Sequence, residues 1–199
     1  NDGVSVRNSE LFSNDLIIKG TGTSGSAIDD SYGVYFYDSY IRTIADGSII
    51  GNGGLDESEY SAGSDNHGVY FDKTVVESSN NYIINGEGGS GGDAMDGVTF
   101  YESDITVNNN LIIHGKGGTG KGVSQSYGVN IDEYSNLEGQ NININGVGGT
   151  NTNKDNLDTY DNVGVQITNN SELKSSENIK IIGTAGQGGS LNDGIYLID

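Results

Sequence analysis

Groups able to move protons or hold metal ions are few in this sequence apart from its carboxylates. The 199 residues contain 28 Asp and Glu, but only two His, His67 and His114, and two Arg, Arg7 and Arg42. Gly88-Gly89-Ser90-Gly91-Gly92-Asp93-Ala94-Met95-Asp96 fits the Gly-Gly-x-Gly-x-Asp-x-apolar-x pattern of calcium-binding β-rolls, which makes Asp93 and Asp96 candidate Ca²⁺ ligands. The match is solitary: the equivalent stretches at Gly117-Gly118-Thr119-Gly120-Lys121-Gly122 and Gly148-Gly149-Thr150-Asn151 lack the Asp. Acidic loops offer a second route to cations, at Asp29 and Asp30, at Asp56, Glu57, Glu59 and Asp65, and at Asp155, Asp158 and Asp161. Calcium takes about six to eight converging oxygens, so each loop supplies only part of a set. Asp38, Asp72, Glu102 and Asp132 recur after similar segments and are expected to stack as a carboxylate ladder, which repels itself unless screened or bridged.

Catalysis on polysaccharides would need paired carboxylates as acid and base, or Ca²⁺ with a nearby basic group. Both His fall at positions that other copies of the repeat fill with unrelated residues. No copy gathers the rare chemical residues, so no catalytic residue is assigned and the chain is read as a non-enzyme. Tyr35 and Tyr70, expected on adjacent coils, form a possible aromatic strip for sugar rings, although Tyr also suits an exposed strand position.

The elements that must position these groups follow from a repeat. A Gly followed by Val or Ile recurs at Gly3, Gly33, Gly68, Gly97, Gly128, Gly164 and Gly194, at steps of 29 to 36 residues. A second Gly, at Gly20, Gly51, Gly86, Gly115, Gly146 and Gly183, follows the first by 17 to 19 residues, whereas the rest of each repeat varies from 11 to 18. The fixed half is expected to carry strands held in register by stacking, and the variable half a loop that leaves the stack.

Within the fixed half, apolar pairs recur one and three residues after the first Gly: Val34 and Phe36, Val69 and Phe71, Val98 and Phe100, Val129 and Ile131, Val165 and Ile167. A spacing of two puts both on one strand face. A second segment carries a single apolar residue at Leu11, Ile41, Val76, Ile105, Leu137 and Leu173. A third carries Ile18, Ile49, Ile84, Ile113, Ile144 and Ile181, two residues before the second Gly. Asp15, Asp46, Asn81, Asn110, Asn141 and Asn178 stand between the second and third segments, residue types that suit left-handed turns and that hydrogen-bond to one another when stacked. The expected fold is all-β: a single parallel β-solenoid over residues 1–199, about six coils with three short strands and one variable loop each.

Composition agrees with a narrow column. Only 33% of residues are hydrophobic, with 33 Gly and no Pro, Cys or Trp, too little apolar matter for an ordinary globular core of this length. The net charge of −19, with nine scattered Lys and Arg, argues against nucleic acid and anionic membranes. No apolar run reaches the length of a membrane span.

The Gly-Val-x-apolar strand, the Asn or Asp turn, and tails such as Asn85-Gly86-Glu87-Gly88-Gly89 and His114-Gly115-Lys116-Gly117-Gly118 resemble repeats of large secreted bacterial exoproteins of the filamentous-haemagglutinin-like, β-strand-repeat kind. The resemblance covers essentially the whole chain and implies export, a cell-surface or extracellular location, and no cofactor. The expected function is a structural or adhesive solenoid. A calcium-dependent carbohydrate-binding module or a polysaccharide lyase or hydrolase is the alternative. Expected partners are further coils of the same kind, continuing the chain or stacked end to end, and extracellular polysaccharide or a cell surface.

Overall fold

The computed structural model describes residues 1–25, 29–55, 64–120, 123–153, 161–188, 190 and 192–199. Among these there is no helix, and nearly every strand pairs in parallel with its counterpart about thirty residues away. The first three coils each contribute three strands: β1 (Val4–Arg7), β2 (Glu10–Ser13) and β3 (Leu16–Thr21); β4 (Val34–Tyr37), β5 (Tyr40–Thr43) and β6 (Gly47–Asn52); β7 (Val69–Asp72), β8 (Val75–Ser78) and β9 (Tyr82–Glu87). The next three each pair a short strand with a long one: β10 (Val98–Tyr101) and β11 (Asp104–Lys116), β13 (Val129–Asp132) and β14 (Asn136–Val147), β16 (Val165–Ile167) and β17 (Glu172–Thr184). Short β12 (Thr119–Gly120) and β15 (Thr150–Asn151) lie in the tails, and β18 (Ile195–Leu197) opens a seventh coil.

The expected three short strands per coil thus describe only the first half of the column. From β11 onward the second and third sides run through one continuous strand, because their corner is a bulge rather than a turn. Register shifts between Val107 and Asn110 and between Gly139 and Asn141, while the Asn109 N–H still reaches the Asn80 carbonyl at 3.3 Å. The first side is a separate seven-stranded sheet, β1-β4-β7-β10-β13-β16-β18.

The register stacks like on like. Val34, Val69, Val98, Val129 and Val165 form one buried file; Phe36, Phe71, Phe100 and Ile131 form another, continued by the half-buried Ile167. Phe rings stack at 5.0 and 5.1 Å between centroids. Ile49, Ile84, Ile113 and Ile144 make the third-side file, with Ile181 half-buried at its end. The column is narrow enough that these files fill it.

Two glycine files account for the spacing of the repeat. Ideal Cβ atoms built on Gly51, Gly86, Gly115 and Gly146 would lie 1.8 to 2.0 Å from the carbonyl oxygens of Gly68, Gly97, Gly128 and Gly164 respectively. The third side therefore meets the start of the first backbone to backbone, and this pinch divides the cross-section into an apolar lumen and a smaller lobe beneath the tail. Gly47 plays a different part: it leaves the space that the Tyr82 ring occupies inside the lumen, with Tyr82 fully buried and its hydroxyl unpartnered.

Polar ladders bind one coil to the next. Asn178 donates to Asn141 (2.9 Å), Asn141 to Asn110 (3.3 Å), Asn110 to Asn81 (2.7 Å) and Asn81 to Asp46 (3.0 Å), so each amide reaches toward the preceding coil. These residues are not left-handed, contrary to one reason for expecting them there. Left-handed φ values fall instead after the first strand, at Asn8, Asp38, Lys73, Glu102 and Glu133, and before the repeated Gly-Val, at Asp30, Asp65, Ala94, Gln125 and Asp161. A second ladder of hydroxyls crosses the corner after the first side. The oxygens of Ser103, Ser135 and Ser171 accept the N–H groups of Thr74, Ser103 and Ser135 at 3.0 to 3.2 Å.

Candidate functional site

Three residues before Gly33, Gly68, Gly97, Gly128 and Gly164 the backbone turns left-handed, and the next two side chains part company. The first enters the side lobe: Ser31, Asn66, Met95, Ser126 and Asn162 are all buried there, and Asn66, Ser126 and Asn162 accept the N–H groups of Ser31, Met95 and Ser126. The second lies against the outer face of the first side. Tyr32, His67, Asp96, Tyr127 and Val163 fill that position on successive coils, beside Tyr35, Tyr70, Thr99, Asn130 and Gln166 of the strands.

This strip brings together the most unusual titratable pair in the described residues. His67 is 6% exposed and Asp96 3%. The Asp96 N–H donates to His67 Nδ1 at 3.1 Å, and Asp96 Oδ2 lies 3.6 Å from the same nitrogen. Because Nδ1 accepts a backbone proton it carries none of its own, so the imidazole is neutral, with its proton on Nε2, 3.8 Å from Asp65 Oδ1. Burial acts in the same sense, holding the imidazole down at about 3. The Asp96 carboxyl accepts from Thr99 Oγ1 (2.7 Å), the Tyr127 N–H (2.8 Å) and the Asn130 amide (3.5 Å). Burial raises it to about 7, with those hydrogen bonds opposing the rise.

An acid and an imidazole on adjacent coils have the composition of a general acid–base pair, but here they face each other under aromatic cover. The Tyr32 ring stacks on His67 at 5.5 Å and 10°, and Tyr70 lies 5.1 Å from it. His67 Nδ1 is spent on the Asp96 N–H of the next coil, and the Asp96 carboxyl on Thr99 of its own coil and on Tyr127 and Asn130 of the next. Reading the repeat copy by copy missed this pair, since its members occupy one file in different copies; the signal was their shared place immediately before the repeated Gly.

The tyrosines do not offer ring faces to solvent. Tyr35 and Tyr70 stack on each other at 5.6 Å and 17°, and the Arg7 guanidinium covers Tyr35 at 4.8 Å. The strip presents ring edges and hydroxyls, with Tyr35 donating to Asp72 Oδ2 at 3.3 Å and its own titration pushed up to about 12 by burial and by Asp72.

The expected carboxylate ladder is broken by the register. Tyr37 pairs with Asp72, Asp72 with Tyr101 and Tyr101 with Asp132, so tyrosines separate the acids. Asp38 and Glu102 belong to the next position, in the left-handed corner, with Lys73 between them. Lys73 Nζ stands 3.9 Å from Asp72 and 3.7 Å from Glu102, which relieves the expected repulsion without a bridging ion.

Asp93 and Asp96 are placed apart in role. Asp93 Oδ1 accepts the Ser124 N–H (3.1 Å) and hydroxyl (2.8 Å) on the rim, whereas Asp96 belongs to the buried strip. Among the described residues no group of three or more His, Asp or Glu is arranged to hold a metal ion. Of the acidic loops, Asp29 accepts the Ser64 N–H at 2.8 Å, while Asp56, Glu57, Glu59, Asp155 and Asp158 lie outside the described residues. His114 is exposed on the outer face of β11, remote in register from His67.

Compared with known protein families, curated proteins and solved structures, the chain matches none.

Proposed function

We propose that the chain is a non-catalytic structural or adhesive solenoid of the cell exterior: a length of a secreted surface or matrix protein of the β-strand-repeat kind, or a subunit stacked end to end. The observation that carries this reading is the fate of His67 and Asp96. The pair best equipped for proton transfer is sealed, and serves to tie the third, fourth and fifth coils together. What the molecule presents outward is long and regular, three sheet faces with side chains repeating about every 4.8 Å along the axis. Such faces suit contact along a length rather than conversion of a small substrate in a cleft. Further coils of the same pattern, from the same chain or another copy, are the partners that would extend them.

Electron microscopy of native material labelled with antibody to this chain tests the reading. Label outside the cell, on rods or fibres with an axial repeat near 4.8 Å, is the expected result. Label confined to the cell interior, or release of oligosaccharides when the purified chain is incubated with polysaccharides, would overturn it.

A further inference from the structure

The third side of the column differs from the other two in charge and in hydrogen bonding. Its outward middle row, one residue per coil, is Lys19, Ile50, Asn85, His114, Asn145 and Ile182. Lys116 and Lys180 lie on the flanking rows, and Glu87, which pairs with Lys116, is the single acid among the outward residues of the third-side segments 16–21, 47–52, 82–87, 111–116, 142–147 and 179–184. In a chain of net charge −19 this side is therefore positive. The outward face of the second side is acidic by contrast, carrying Glu10, Glu77, Asp104, Glu138 and Glu172 against Arg42 and Lys174.

The polar groups here are also unspent. Asn81, Asn110, Asn141 and Asn178 bond to one another from coil to coil, yet the side chains of Asn52, Asn85, His114, Asn143 and Asn145, in similar stacked positions, make no hydrogen bond or ion pair among the described residues. Two hollows of about 240 and 270 Å³ lie along the row and share His114 and Asn145, one reaching to Ile50 and the Glu87–Lys116 pair, the other to Ile112, Ile182 and Lys180. Together they make a shallow trough parallel to the axis.

Size selects the occupant. Six-residue strands over six coils give a face of about 17 by 24 Å, on the order of 400 Å², half of what each partner in a stable protein pair buries. A linear ligand needs less. Nucleic acid carries a charge about every 1.7 Å, far denser than three lysines on this face can match. The acids of the second side are screened by salt over about 8 Å, and Glu177 at the corner accepts hydrogen bonds from Gln140 at 2.7 Å and Asn141 at 3.3 Å.

We infer that this trough binds an extended acidic polysaccharide, running along the solenoid axis. Ile50, Ile112 and Ile182 support the apolar faces of sugar rings, the free amides and His114 bond their hydroxyls, and Lys19 and Lys180 meet their carboxylates. The inference rests on the reading of the chain as a surface-acting, non-catalytic solenoid.

Titration calorimetry of the whole chain with size-defined polygalacturonate oligomers, with neutral cello-oligosaccharides and single-stranded DNA as comparisons, tests it. The acidic oligomer is expected to bind best, to be recovered intact, and to weaken at least tenfold when salt rises from about 50 to 500 mM. The double variant Asn145→Ala/Lys180→Glu, at exposed positions and checked for an unchanged melting curve, should lose tenfold or more, and Glu138→Gln on the second side nothing. No binding of the acidic oligomer, equal binding of the neutral one or of DNA, or indifference to the double substitution would overturn this inference while leaving the proposed function intact. A cleaved oligomer would instead overturn the proposed function.

Discussion

Replacing Gly115 by Ala places a methyl group where the two glycine files meet. Its Cβ would stand 1.8 Å from the Gly128 oxygen and 2.6 Å from the carbon of that carbonyl, both backbone atoms that cannot swing aside. Reaching ordinary contact at 3.4 Å requires a separation of about 1.6 Å between the third side and the start of the first. That movement exceeds what the local ladder tolerates, because the Gly128 carbonyl accepts the Val98 N–H at 3.1 Å and the Gly128 N–H donates to Val163 at 3.0 Å. Losing about two buried backbone bonds at roughly 1–3 kcal/mol each, with roughly 1–3 kcal/mol for the strain of overpacking, sets the cost on the order of 3–9 kcal/mol. Gly139 is the internal control: its Cβ would meet nothing nearer than 3.3 Å, so Gly139→Ala should change stability by less than about 1 kcal/mol. Urea denaturation of both variants, followed by far-ultraviolet circular dichroism, measures the difference. Equal midpoints for the two would refute the account of the repeated Gly as a backbone-to-backbone pinch.

Asn110→Ala removes a donor to Asn81 and an acceptor for Asn141, and is expected to cost about 1–2 kcal/mol by the same denaturation assay; an unchanged midpoint would mean water replaces the ladder without loss. Asp96 and His67 make opposing contributions to pH dependence. Asp96, raised to about 7, weakens the fold as pH climbs from near 4 to 7; His67, lowered to about 3, strengthens it as pH climbs from 3 to near 6.5. Between about 4 and 6.5 the two cancel, so Asp96→Asn should add a slope of about +1.4 kcal/mol per pH unit relative to the parent in that window, and identical pH profiles would show that Asp96 does not take up its proton on folding.

Much of this fold could be read in advance because its files are single residue types at fixed separations. The Val, Phe and Ile files and the Asn81–Asn178 ladder stand where the spacing placed them, since parallel stacking turns a repeat in sequence into a column in space. The Gly positions were legible as tight corners, but the facing of one file against the other was not, because nothing local in Gly86 names Gly97 as its neighbour. Alignment by similarity of residue misled at Asp38, Asp72, Glu102 and Asp132, where two registers alternate between strand end and left-handed corner. The His67–Asp96 contact escaped notice for a related reason. It joins different residue types on adjacent coils, so only their shared place before the repeated Gly relates them, and its burial depends on Tyr32 and Tyr70, whose rings lean over it. The free amides of the third side look in sequence like those of the ladder; only the side-chain geometry separates them.

The amide and hydroxyl ladders join each coil only to its neighbours, which gives the column a particular mechanical character. A tension applied along the axis loads every junction in series, while the many bonds within a junction share the load in parallel. Such a body yields one junction at a time, and each coil that lets go frees about thirty residues, up to roughly 100 Å of slack, before the next is strained. It extends in steps and dissipates work at each one, as a tether does when it must survive repeated tugging.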